Sequence, residues 1–246
     1  MIRVRSWQEA EQGRIIRDTP HQKGTRVPLF SEAPDGGACA PQAFVVEQAP
    51  DWVLRAHYHG VHQFQVVAAG SGSIGRHPVA PLMVHYASPE SGYGPITAGP
   101  RGLSYYTLRA TPDEQTRYLP ESRPLMREGL AKQHGMTAII EIEDTEPLAP
   151  SENLSLQSLL SGNRDGAAVW RLRLAPGAAL PASGVPGAGA RYYFVAAGAM
   201  QVQGQALEKG SVCFAHDEPG FTIVATDVGL DLLVLQFPPE ASRPPA

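Results

Sequence analysis

The chain has 246 residues, 43% apolar and 18% charged, a balance that fits a folded globular protein and excludes a disordered one. A net charge of −4 without a basic block gives a nucleic-acid partner no electrostatic support. No run of 18 apolar residues occurs, so a membrane partner is not expected either.

The start, Met1-Ile2-Arg3-Val4-Arg5, lacks the apolar core of a secretory leader. Cys39 and Cys213 lie far apart and read as free thiols of a reducing, cytoplasmic compartment. A catalytic Cys39 has nothing beside it in the sequence to support it. Phe44-Val45-Val46-Glu47 and Gln65-Val66-Val67 are short β-prone runs. Between them stand His57 and His59, which on an extended strand point to one face and can offer two imidazole nitrogens to one ion. Gly70-Ser71-Gly72-Ser73-Ile74-Gly75 fits a dinucleotide-loop pattern literally, but Pro78 blocks the helix such a loop requires, so it reads as a turn. The segment Arg123–Gln133 is predicted as a helix, with Ser122 as N-cap, Pro124 in the first turn and Gly135 past the end. Beyond it, Trp170-Arg171-Leu172-Arg173-Leu174 alternates as a half-buried strand does, and Leu232-Leu233-Val234-Leu235 is another β-prone run. The 25 glycines and 23 prolines lie between such runs as turn residues.

The chain repeats itself. Gln63–Gly70 matches Arg191–Gly198 at an offset of 128, with Val-Ala-Ala-Gly shared. The same offset pairs Tyr86-Ala87 with Phe214-Ala215 and Gly92-Tyr93 with Gly220-Phe221; at 127 the strand Ser104–Arg109 pairs with Asp231–Gln236. Two strand-rich halves with a short helical segment between them are therefore expected: residues 1–115, a connector over 116–151, and residues 152–246. Such strands need a closed barrel or a sandwich to cover their faces.

His57-x-His59 followed by Gln63 and Gly70 resembles the first signature of the cupin superfamily, usually His-x-His-x3-4-Glu-x6-Gly. With the repeat, the chain resembles a bicupin, which implies an all-β fold of two double-stranded β-helix (jelly-roll) barrels. The resemblance implies a metal set of two His and one Glu from the first signature and one His from the second. Carried onto this sequence, the set is His57, His59, Gln63 and Tyr93, so two of the four ligands depart from the pattern. Neutral His nitrogens suit Fe, Mn, Ni or Zn. Gln63 offers only a carbonyl dipole where a Glu adds charge, and Tyr93 becomes an anionic ligand only if a metal pulls its pKa far below about 10. The second half keeps no such set: His57 maps to Val185, His59 to Gly187, Gln63 to Arg191 and Tyr93 to Phe221. That half reads as structural.

Strand parity adds candidates for substrate contact. An uninterrupted strand Trp52–His59 puts Arg55 on the face of His57 and His59, and Gln65 shares a face with Gln63. Arg55 then binds a substrate carboxylate, or else lies solvated at the barrel mouth. His85 is the stand-in for the missing second-signature His, or else an ordinary hydrogen-bonded His. His62, next to Gln63, points the other way.

Two functions from different classes follow. One is a cupin-type enzyme with a divalent metal in the N-terminal barrel, acting on a small molecule, with dioxygenase chemistry as a family precedent. The other is a metal-free barrel that binds a small molecule or acts as an isomerase. No catalytic residue is assigned by the sequence. The resemblance also implies a homodimer. Convergence of His57, His59 and a third donor favours the first function; a hydrogen bond between Gln63 and Tyr93 favours the second.

Overall fold

The computed structural model describes residues 1–30, 40–113, 115–140, 152–218 and 220–242. Cys39 and the acidic run Glu141-Ile142-Glu143-Asp144 lie outside them. The protein is all-β, as its alternating short runs require, and divides into two compact units. One is Gly13–Ile140; the other joins Met1–Gln12 to the described residues of Glu141–Ser242. Among the described residues no helix is long and apolar enough to cross a membrane.

The first unit is a nine-stranded antiparallel sheet with a two-stranded pair. At its centre lie Gln63–Ile74 and Ile96–Arg109, bonded to each other and flanked by Val84–Ala87 on one side and Gln42–Gln48 on the other. Gln22–Phe30 and Ile15–Thr19 extend it as a hairpin. The side chains of Val46, Val67, Ile74, Met83, Ile96, Leu103 and Tyr105 form a buried apolar cluster. The second unit repeats the plan: Arg191–Val202 pairs with Thr222–Gln236, flanked by Val212–Ala215 and Ala168–Leu174.

The repeat extends to backbone detail. Gly70 and Gly198 both have positive φ, +79° and +69°, and a Cβ on either would lie 2.2 Å from the carbonyl oxygen of Gly102 or Gly229. Only glycine admits that combination of dihedral and close approach. A register irregularity follows at the same place in each unit, between Ser104 and Tyr105 and between Val195 and Ala197. Such bulges bend and twist a strand, as barrel closure needs.

Two expected boundaries shift. Residues 1–12 belong with the second unit, because Ile2–Arg5 pairs antiparallel with Val212–Ala215. Residues 116–140, expected as a connector, are built into the first unit: Arg117–Tyr118 pairs with His57–Tyr58, and His134–Met136 with Val84–Ala87. The expected helix over 123–133 is also corrected. Only Arg123–Leu125 is helical, as a single 3-10 turn, and Met126 is already extended, with ψ 130°. The reason is local competition. The buried Glu90 carboxylate accepts the Arg127 backbone N–H and, at 2.6 Å, its Nε, while Gly129 adopts φ +77°. A side chain thus takes a backbone donor that a helix would use, and no apolar face is available to repay helix formation. Among the described residues the α-helix is Trp7–Glu11, capped by Ser6, whose hydroxyl accepts the Glu9 N–H at 3.2 Å.

Candidate functional site

The alternation of the first sheet aims one face inward. Phe44, Val46 and Gln48 on one strand, Tyr105, Thr107 and Arg109 on the next, and Gln63 and Gln65 on the third all line a cavity of about 200 Å³. His57, His59, Tyr93 and Asp113 line it as well.

His57 and His59 are 3% and 8% exposed. The Arg55 carbonyl accepts from His57 Nδ1 at 2.7 Å, and the Gln115 carbonyl from His59 Nδ1 at 3.1 Å, with Asp113 Oδ2 also 3.3 Å away. Carbonyl acceptors place the ring proton on Nδ1, so Nε2 keeps its lone pair in both rings. Burial, the neighbouring His59 and the Arg109 charge lower the pKa of His57 to about 3. Burial and Arg109 lower His59 to about 4, against the opposing effect of Asp113. Both imidazoles are therefore neutral acceptors at neutral pH. Burial alone would raise the pKa of Asp113, but hydrogen bonds from His59 and from the Gln115 and Gly60 amides outweigh it and hold the carboxyl below the usual carboxylate range.

Tyr93 is tied to His57 by a two-way backbone bridge, with N–O distances of 3.1 and 3.0 Å, and their rings lie 4.6 Å apart. Gln63 stands between Tyr93 and Arg109. Its Oε1 accepts Arg109 Nε at 3.1 Å and Nη2 at 3.0 Å; its Nε2 donates to the Tyr93 hydroxyl. Two guanidinium donors admit only the carbonyl end of the amide, which fixes the orientation. Arg109 Nη1 further donates to Gln42 Oε1 and to the Asp113 carbonyl, each at 2.6 Å.

The remaining expected residues divide. Gln65 lines the cavity. His85 does not. It is 3% exposed and lies behind Gln65, with Nδ1 2.9 Å from Gln65 Oε1 and its ring 4.9 Å from Tyr93. Arg55 is corrected as a substrate contact and takes its other reading, a solvated residue: its guanidinium is exposed and pairs with the Glu121 carboxylate. Val53–Leu54 and His57–Tyr58 are separate strands, and the two residues between them reset the parity, so Leu54 faces the cavity while Val53 and Arg55 face out. Arg55 serves the site through its carbonyl, which holds His57 Nδ1. Sequence reasoning missed Arg109 and Asp113. Arg109 carried a signal, as the charged end of the strand Ser104–Arg109 that the repeat pairs with Asp231–Gln236; Asp113 sits in a loop and carried none.

These residues do not fit the four-ligand metal set. A transition-metal shell needs converging lone pairs. The Gln63 carbonyl is turned to Arg109, and its amide presents donors. Tyr93 is a neutral phenol, its pKa raised by burial. That leaves the two Nε2 atoms, beside an arginine whose charge depresses proton affinity at both and opposes a divalent cation in the same way. Among the described residues no group of three or more His, Cys, Asp or Glu is placed to hold a metal ion.

At the corresponding place the second barrel carries an arginine, on the wall of a cavity of about 370 Å³. Arg191, at the Gln63 position, donates to Gln236 Oε1 at 2.6 Å and to the carbonyls of Ala182, Val185, Pro186 and Gly187. Val185 and Gly187 are the positions of His57 and His59. This barrel interior is braced by its own cation.

No protein-family model and no curated protein matches the sequence. Solved structures do match. The bacterial pirin YhhW from Escherichia coli, in complex with nickel(II), is 15% identical with a TM-score of 0.56, over 97% of this chain and 100% of its own. A salicylate 1,2-dioxygenase from Pseudaminobacter salicylatoxidans is 13% identical with a TM-score of 0.60, over 96% and 84%. A cupin 2 conserved barrel domain protein from Leptotrichia buccalis is 10% identical with a TM-score of 0.51, over 86% and 88%. At such identities the likeness is one of architecture, and with the duplicated sheets it establishes that this chain has the two-barrel cupin fold.

Proposed function

We propose that the N-terminal barrel binds a small polar molecule directly with its side chains, His57 and His59 acting as neutral acceptors rather than as half of a metal shell. One observation carries this reading: the Gln63 amide bridges Arg109 and Tyr93, so two of the four expected ligand positions satisfy each other. The cavity of about 200 Å³ has room for a small organic molecule. His59, with its proton held on Nδ1 toward Asp113 and Gln115, keeps Nε2 free to accept a hydrogen bond from a bound molecule.

The metal-assisted reading is the rival. It is favoured by the fixed tautomers of His57 and His59 and by the carboxylate behind His59, an outer contact that metal-bound histidines commonly have. It also draws on the nickel named for the pirin neighbour. Elemental analysis of untagged protein purified without chelator, beside a His57→Ala/His59→Ala double variant, separates the two. We expect no stoichiometric Fe, Mn, Ni or Zn in either. Near-stoichiometric metal that vanishes in the double variant overturns the metal-free reading. The proposal takes the protein as a cytoplasmic homodimer, and light scattering of the purified chain tests the dimer.

A further inference from the structure

The cavity of the first barrel has a buried floor and an exposed rim. His57, His59, Gln63, Gln65 and Arg109 are buried and form the floor. Thr19, His21 and Thr116 line the same cavity and are exposed, so they mark its mouth. The rim comes from two segments: the tip of the hairpin between Ile15–Thr19 and Gln22–Phe30, and the stretch that leads into Arg117–Tyr118. A ring contact joins them. His21 stacks on Tyr118, with centroids 4.7 Å apart and planes 24° from parallel.

The two sides of that contact are held differently. Tyr118 is fixed to the site: its backbone pairs with His57, its ring lies 6.2 Å from the His57 ring, and the Arg55 guanidinium carbon stands 5.5 Å from its centroid. The hairpin tip overhangs the sheet. Ile15–Thr19 is its outermost strand and largely exposed, and the ladder of Gln22–Phe30 with Gln42–Gln48 begins at Gly24. The tip keeps its own shape through the Thr19 hydroxyl, which accepts the His21 and Gln22 N–H groups at 3.3 and 3.0 Å. An edge hairpin with exposed backbone and little buried apolar surface opens at low free energy. Neither segment belongs to the duplicated core. Among the described residues, the second sheet ends at Leu154–Leu160, the counterpart of Gln22–Phe30, and has no counterpart of the Arg117–Tyr118 pair. We propose that the hairpin tip is a latched lid on the first barrel: His21 closes on Tyr118, and small molecules reach His57 and His59 when that stack opens. The lid rests on the reading of this cavity as the barrel's small-molecule site, and it sets the rate of ligand entry and release.

The test measures access to the floor. Diethyl pyrocarbonate acylates neutral imidazole nitrogen, and Nε2 of His57 and His59 carries a free lone pair. Wild type, His21→Ala and His21→Phe are treated in the presence of EDTA, so that a metal cannot shield the two histidines. Initial acylation rates at each histidine are read by peptide mass spectrometry, with the exposed His77 as internal reference. His21→Phe keeps a ring for Tyr118 and cannot itself be acylated, so it serves as the closed form. His21 is exposed, and neither substitution reaches the core. In wild type and His21→Phe, His57 and His59 should react about tenfold or more slowly than His77. His21→Ala should accelerate both by about fivefold, the scale of one lost aromatic stack, with His77 unchanged. Floor rates equal to that of His77 in wild type, or rates in His21→Ala no faster than in His21→Phe, overturn the lid. The elemental analysis judges the metal-free reading separately, so either can fail without the other.

Discussion

The Arg109 guanidinium grips the Gln63 carbonyl through Nε and Nη2 across neighbouring strands of the first barrel. The repeat makes this bond informative. Gln63 corresponds to Arg191 and Arg109 to Gln236, and those two are bonded as well, Arg191 Nε to Gln236 Oε1 at 2.6 Å. The same Arg–Gln brace closes both barrels, with the two identities exchanged. In the first barrel it takes up the side chain that, by resemblance, would have been a metal ligand.

Replacing Arg109 by Met should destabilise the chain by on the order of 2–4 kcal/mol. The buried Gln63 and Gln42 carbonyls and the Asp113 carbonyl each lose a charged donor, and breaking such a network is costly. Urea unfolding of the variant measures it. A change below about 1 kcal/mol would mean that water replaces the guanidinium.

Restoring the family residue with Gln63→Glu should not restore a metal site. The new carboxylate faces Arg109, the nearest cation, and forms a bidentate pair with it, while the Tyr93 hydroxyl reverses and donates to it. Stability should stay within about 1 kcal/mol of wild type. Plasma emission analysis after incubation with Ni or Mn should find no stoichiometric metal. A bound equivalent would show that Arg109 releases the carboxylate to the histidines.

Gly70→Ala and Gly198→Ala should each cost more than about 2 kcal/mol, and by similar amounts. Each new Cβ meets a backbone carbonyl oxygen at 2.2 Å in a conformation that L-residues rarely adopt. Paired thermal melts check this. If only one variant is destabilised, the two bends differ in how far they yield.

Stability should fall as pH falls from about 6.5 toward about 3. Burial lowers the pKa of His57, His59 and His85 from 6.5 to about 3, 4 and 3. Between those values the unfolded chain binds protons that the folded chain refuses, so the unfolded state gains with every step of acidification. Above about 6.5 these histidines contribute no slope. Melting temperatures from pH 7.5 to 4.5 give the profile, and His85→Gln, which keeps a polar partner for Gln65, should flatten it. An unchanged slope in that variant would place the acid sensitivity elsewhere.

The repeat, the strand content and the inward position of His57, His59 and Gln65 were legible in the sequence. A strand's period of two and a fixed offset are local regularities that residue order carries directly. Arg55 and the helix over 123–133 were misread for the same physical reason. A two-residue break between short strands, and a carboxylate arriving from residue 90, decide parity and backbone pairing through contacts that lie outside the segment being read.

By itself the sequence determined that this is an all-β, duplicated chain with a paired histidine facing into its first barrel, because apolar alternation, turn residues and the repeat impose those features locally. What Gln63 and Tyr93 do there only the tertiary structure decided. The amide side chain is amphoteric in hydrogen bonding, and its role depends on which neighbour claims which end. Arg109, 46 residues later in the chain but adjacent across the sheet, claims the oxygen, and with it the chemistry of the site.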